Sequence, residues 1–112
     1  MAKPNRRGTP LRATAGQAAV WTDAAPIAEL PAGRSLVIED ERLYTLHFGM
    51  NEWQQVAARV AVPFGIVYRV RLRRDELRGR SLHFTRYYPE DDRWEGVDHL
   101  IRIERGPARS TR

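Results

Sequence analysis

One short stretch of the chain combines residue types that suit flat, hydroxyl-rich ligands. Residues 47 to 53 run from His47, at the end of an alternating segment, through Gly49 and Asn51 to Trp53. Glycine and asparagine favour a turn, an indole stacks on apolar surfaces, and an imidazole hydrogen-bonds to hydroxyl groups. The stretch predicts a saccharide contact. A structural interpretation stays open, in which Trp53 closes the end of a small sandwich and His47 is a half-exposed strand residue.

A second stretch near the C-terminus repeats this combination. Trp94 follows the turn-forming residues 89 to 92 and precedes an alternating segment that contains His99. An indole and polar groups again lie at a turn that leads into a strand. The two stretches together could form one binding platform.

Carboxylates are present in pairs, but their spacing does not favour catalysis. The acidic clusters at residues 39 to 41 and 90 to 92 lie in predicted turns, where adjacent side chains point into water. A glycosidase needs two carboxyl groups about 5 to 9.5 Å apart across a cleft, and we expect no deep cleft in so short a chain. The sequence therefore predicts no catalytic residue.

The candidate metal ligands have a spacing that matches no known motif. His47, His83 and His99 could meet if they shared one face of a sheet, but isolated strand histidines are mostly structural. The acidic residues 90 to 92 could cap a calcium ion, yet they lack the alternating ligand positions of a calcium loop. No metal and no cofactor are predicted.

The net charge of +5 is concentrated at the two ends of the chain. Residues 1 to 12 contain four basic side chains and residues 105 to 112 contain three, with no acid in either segment. The remaining chain carries 12 basic and 14 acidic side chains, a net charge of −2. A folded nucleic-acid binder usually carries a basic patch on its fold, so nucleic acid is an improbable partner, apart from weak phosphate contacts by the arms.

The apolar runs and the absence of cysteine bear on location. Every apolar run is far shorter than the roughly 20 residues of a membrane-spanning helix, and the basic N-terminus is followed by no apolar signal segment. With no cysteine, disulfides and thiolate-bound metals are excluded. These features predict a cytoplasmic protein and leave a periplasmic or secreted location open.

Short alternating segments separated by Gly, Pro and Asp predict an all-β fold. Strands are expected near residues 35 to 39, 43 to 48, 54 to 62, 65 to 72, 81 to 88 and 97 to 103. In the last strand, Val97 and His99 should share the face of Ile101 and Ile103. The expected architecture is an antiparallel β-sandwich of about 6 to 8 strands at residues 19 to 104. A basic flexible leader at residues 1 to 18 and a basic tail at residues 105 to 112 would flank it.

The segment Leu46-His47-Phe48-Gly49 with Trp53 resembles the His-aromatic-Gly and Trp signature of starch-binding β-sandwich modules, carbohydrate-binding families 25 and 53. Residues 94 to 99 are similar to the second motif of those modules, although Glu95 and Gly96 replace its usual Asp/Asn pair. Residues 30 to 103 also resemble the small non-catalytic β-domain of bacterial glucoamylase-like glycoside hydrolases. The resemblance implies α-glucan contacts by His47, Trp53 and Trp94. Three further residues are candidates for supporting contacts: Asn51, Glu95 and Asp98.

These observations lead to two principal hypotheses of function. In the first, the chain is a non-catalytic α-glucan-binding module, an accessory part of polysaccharide hydrolysis. In the second, it is a structural or interaction domain that packs against a larger glycoside hydrolase or another partner, with buried tryptophans and no ligand of its own. The exposure of Trp53 and Trp94, and whether they share one side, distinguishes the two.

Overall fold

The computed structural model describes residues 18 to 105. The predicted leader and tail lie outside the described residues, except for residues 18 and 105 at their inner ends. Between these two positions the chain forms ten strands and one short 3-10 turn. In chain order they are β1 Ala18–Trp21, β2 Glu29–Leu30, β3 Ser35–Asp40, β4 Thr45–Met50, β5 Gln54–Val60, β6 Val62–Phe64, β7 Val67–Leu72, the 3-10 turn Arg74–Glu76, β8 Ser81–Tyr88, β9 Arg93–Trp94 and β10 His99–Ile103. No helix in this part of the chain is long and apolar enough to cross a membrane.

The strands form two mixed sheets. The larger sheet has the order β2-β10-β8-β4-β5, with β9 also paired to β8, and the smaller has the order β1-β3-β7-β6. The pairs β1/β3 and β2/β10 are parallel, whereas the other described pairs are antiparallel. The predicted all-β sandwich is confirmed, but the strand number and the purely antiparallel pairing are corrected. Two-residue strands such as β2 and β9 are too short to show alternation in the sequence.

Alternating side chains from both sheets meet in one hydrophobic core. On β4 and β8 every second residue points inward, as predicted for Leu46, Phe48, Leu82 and Phe84. Strands β3 and β7 supply the opposing layer from the smaller sheet, so each sheet buries the apolar face of the other. The largest fully buried side chains are Leu30, Leu36, Ile38, Tyr44, Leu46, Leu72, Leu82, Phe84 and Ile101.

The segment after Trp53 is a strand, as predicted, although its Gln/Ala-rich composition is compatible with a helix. Strand β5 pairs with β4 along most of its length, and all seven of its residues are exposed. Two residues of the predicted strands lie outside the observed ones. Ile66 is 92% exposed because it lies in the turn before β7, and Val97 is 53% exposed because it precedes β10.

Strand register determines which side chains share the outer face of the larger sheet. On one side of β8, His47 lies opposite Thr85 and Gly49 opposite His83. On the other side Trp94 lies opposite Tyr87, and β10 begins with residue 99 opposite residue 84. From Trp94 to His99 the chain advances five residues, whereas their partners on β8, residues 87 and 84, are only three apart. Residues 95 to 98 therefore form a bulge between β9 and β10.

Candidate functional site

Five ring-bearing side chains lie on the outer face of the larger sheet. Four of them come from β4, β8 and β9, and the fifth comes from the turn between β4 and β5. Side chains two residues apart on a strand point the same way, so this register places the strand residues together, away from the core. We refer to the set as the aromatic face: His47, Trp53, His83, Tyr87 and Trp94.

Trp94 is the most exposed of these rings. Half of its surface, 50%, is accessible. Its ring centroid lies 4.6 Å from that of His47, at 62°, and 5.2 Å from that of Tyr87, at 60°. Since His47 lies on β4, beyond β8, the indole reaches across β8 to meet it. The Tyr87 hydroxyl donates to the Asp92 carboxylate, which fixes that ring beside Trp94.

Trp53 lies at the other end of the aromatic face. Its ring is 5.9 Å from that of His83, at 44°, and both residues are partly exposed. The turn that carries it has positive φ at Asn51, Glu52 and Trp53, with values of 48°, 67° and 68°. A Cβ at Gly49 would lie 3.0 Å from the Trp53 Cα, so glycine allows the turn to fold closely over β4.

The three predicted supporting residues have different positions. Asn51 secures the turn, since its Oδ1 accepts from the Arg80 backbone N–H at 2.8 Å. Asp98 is exposed in the bulge before β10. Glu95 points inward, and its side chain is only 8% exposed. The structure therefore brings the three main predicted contacts to one face, but the Glu95 carboxylate is directed into the sandwich.

The partner of Glu95 is Arg86, an arginine on the inner side of β8. Arg86 is 2% exposed and donates to Glu95 at 2.7 and 3.0 Å, to Asp40 at 2.8 Å, and to Asp23 at 2.9 and 3.2 Å. Tyr88 also donates to Asp40, at 2.6 Å. One buried cation thus links β8 to the loop after β1, to β3 and to the bulge.

These contacts stabilise the ionised forms of Glu95, Asp23 and Arg86 and the neutral form of Tyr88. Burial alone would raise the pKa of Glu95, but the hydrogen bonds from Arg86 and His99 outweigh it and the pKa is lowered. The hydrogen bond to Arg86 likewise lowers the pKa of Asp23. Burial opposes the charge of Arg86, yet the hydrogen bonds to Glu95 and Asp23 raise the pKa of the guanidinium. For Tyr88, burial and then the hydrogen bond to Asp40 raise the pKa of the hydroxyl.

His99 lies on the opposite side of the larger sheet from the other two histidines. Its ring stacks on Phe84 with centroids 4.8 Å apart, meets Trp21 edge-on at 4.8 Å, and its Nε2 lies 2.9 Å from Glu95. The three histidines therefore do not converge. Within residues 18 to 105, no group of three or more acidic, histidine or cysteine side chains is arranged to hold a metal ion.

An open cleft of about 450 Å³ lies beside the buried arginine. Its lining includes Asp23, Glu39 and Asp40, together with Arg42. The sequence did not predict this cleft. Asp23 and Asp40 accept from Arg86, and Glu39 accepts from Arg69 at 2.7 Å. A general acid needs a raised pKa, whereas the hydrogen bond to Arg86 lowers the pKa of Asp23, so this carboxylate is not suited to that role.

Sequence reasoning missed Arg86 and its ion pairs with Glu95, Asp40 and Asp23. A signal was present, because Arg86 occupies an inward position between Phe84 and Tyr88 in an alternating strand. The three acids come from separate segments, and the sequence does not show which of them meet it.

Searches of family models, curated proteins and solved structures found no match to this chain.

Proposed function

We propose that the chain is a non-catalytic carbohydrate-binding module whose aromatic face binds an α-glucan. The observation that carries the proposal is the half-exposed indole of Trp94, held against His47 and Tyr87 on the face that also carries Trp53 and His83. Aromatic rings bind the apolar faces of sugars, and neighbouring imidazoles hydrogen-bond to sugar hydroxyl groups. The likeness of residues 46 to 53 to starch-binding modules supports an α-glucan as the ligand.

The polarity of the aromatic face suits a sugar better than a purely apolar ligand. Ser81, His83, Thr85 and Tyr87 occupy the outward positions of β8, and His47 occupies an outward position of β4. His47 and His83 are diagonal neighbours on adjacent strands, about 7 to 8 Å apart by ordinary sheet geometry. Binding pockets for small ligands combine apolar surface with a few convergent polar groups, and this face has both.

Affinity electrophoresis in soluble starch and calorimetric titration with maltoheptaose test the proposal. The chain should be retarded, and Trp94→Ala should weaken binding about 30-fold, because an exposed ring that stacks on ligand contributes about 2 kcal/mol. Trp53→Ala should weaken binding to a smaller degree. Phe64→Ala removes an aromatic that is 57% exposed on the other sheet and serves as the matched control. Equal mobility with and without starch would refute the proposal.

An interaction domain is the second candidate function, and a different surface favours it. Apolar side chains are exposed along β5, β6 and the next turn: Val56, Val60, Val62, Phe64 and Ile66. Gel filtration with a glucoamylase-like catalytic domain would test it. Co-elution that is lost in Ile66→Asp but kept in Trp94→Ala would favour an interaction domain over sugar binding.

A further inference from the structure

The position of Trp94 needs more than strand pairing to explain it. Strand β9 has two residues, which pair with the last two residues of β8. The bulge at residues 95 to 98 follows at once, so the regular ladder resumes only at His99. Such a short pairing is marginal and would fray on its own. Trp94 nevertheless lies in contact with both His47 and Tyr87.

Glu95 supplies an anchor directly after Trp94. Its backbone N–H donates to the Arg86 carbonyl at 2.9 Å, and the Arg86 N–H donates back to the Glu95 carboxylate at 2.8 Å. The guanidinium of Arg86 donates to both carboxylate oxygens, at 2.7 and 3.0 Å. Because the Glu95 backbone still hydrogen-bonds to β8 although it follows β9, its side chain and that of Trp94 point to opposite faces, and holding Glu95 inside the sandwich holds Trp94 outside.

We infer that Glu95, clamped by Arg86, is the positioning residue that holds Trp94 on the aromatic face. The charged and polar groups that face its carboxylate are Arg86 and Thr85 from β8 and His99 from β10. A buried ion pair is weak evidence of added stability, and in some proteins such pairs instead specify a geometry, which is the role inferred here. This inference concerns only the position of Trp94. Its consequence, weaker glucan binding when the Glu95–Arg86 pair is broken, rests on the proposed function.

Fluorine NMR of the full chain labelled with 5-fluorotryptophan tests the inference. Its three tryptophan resonances can be assigned with single Trp→Phe variants. Glu95→Gln keeps the side-chain shape but removes the charge. We expect the Trp94 resonance to move toward that of the free amino acid, and the residue-95 amide to exchange about tenfold faster, since a charge-assisted hydrogen bond is weakened. The Trp53 resonance should stay in place.

Glu76→Gln is the matched control, because it also removes a paired carboxylate, 2.6 Å from Arg59, in the 3-10 turn Arg74–Glu76. An unchanged Trp94 resonance and amide exchange in Glu95→Gln would overturn the inference. Equal movement of Trp53 and Trp94 would do the same, as it indicates general loosening. If Glu95→Gln does not fold, Arg86→Lys is measured instead, and the same two results, no change at Trp94 or equal movement of Trp53 and Trp94, would overturn the inference. Wild-type binding of maltoheptaose tests the proposed function separately, since its absence leaves the Trp94 result intact.

Discussion

Replacing Arg86 by methionine should be among the most destabilising single changes in this fold. The substitution removes the cation shared by Glu95, Asp40 and Asp23 while it keeps an apolar side chain in the core. The first two carboxylates are each 8% exposed, so their charges would remain buried, whereas Asp23 is 66% exposed and can be solvated. Breaking a buried ion pair costs about 3–5 kcal/mol, a large part of the about 5–15 kcal/mol that stabilises a domain.

The loss of stability in Arg86→Met should depend on pH, and the buried carboxylates determine the direction of this dependence. In the wild type, the pKa of Glu95 is lowered, so this group stabilises the fold above its unfolded pKa and the contribution is lost as pH falls through the folded value. Without Arg86, burial should instead raise the pKa of Glu95. The penalty from the Glu95 charge is then absent below about pH 4, the unfolded pKa, and grows as pH rises, by up to about 1.4 kcal/mol per pH unit.

Urea unfolding at pH 7 and pH 4.5 measures both effects. Arg69→Met is the control, because the Arg69–Glu39 pair is partly exposed, with 28% and 20% of the side chains accessible, and should contribute at most about 1 kcal/mol. A loss in Arg86→Met below about 1 kcal/mol, or one equal at the two pH values, would refute the reasoning. If Arg86→Met does not fold at pH 7, its refolding at pH 4.5 would support the sign of the effect, and failure at both would contradict it.

Two further substitutions test the core and the turn. Tyr44 is fully buried and its hydroxyl donates to the Ile38 carbonyl, so Tyr44→Phe should lose about 1–1.5 kcal/mol in urea unfolding, and no loss would contradict the contact. Gly49→Ala would place a Cβ 3.0 Å from the Trp53 Cα, and should cost about 1–3 kcal/mol and shift the Trp53 fluorine resonance away from its place beside His83. An unshifted resonance at wild-type stability would show that the turn does not need glycine there.

The aromatic face was largely predictable from alternation. Side chains alternate between the two faces of a strand with a period of two. The sequence therefore shows that His47 points away from the face of Leu46 and Phe48, and His83 away from that of Leu82 and Phe84. That both strands are neighbours in one sheet, with these histidines diagonal, depends on long-range pairing. Alternation alone does not specify which strands pair or in which register.

The inward position of Glu95 could not be predicted in the same way. Its direction depends on the register of a two-residue strand and on a bulge, neither of which leaves an alternating pattern. Its partner Arg86 lies nine positions earlier, and the other two acids lie 46 and 63 positions from Arg86. Burial of a charge is unfavourable without partners, so only the assembled fold shows why an arginine occupies a core-facing position.

A titration of the isotope-labelled chain with maltoheptaose, followed by amide and indole NMR, tests the central claim most directly. We expect the largest shifts at the indole N–H groups of Trp94 and Trp53 and at His47, with the buried indole of Trp21 unchanged. Shifts confined to the cleft beside Asp23, or none at millimolar sugar, would contradict glucan binding by the aromatic face.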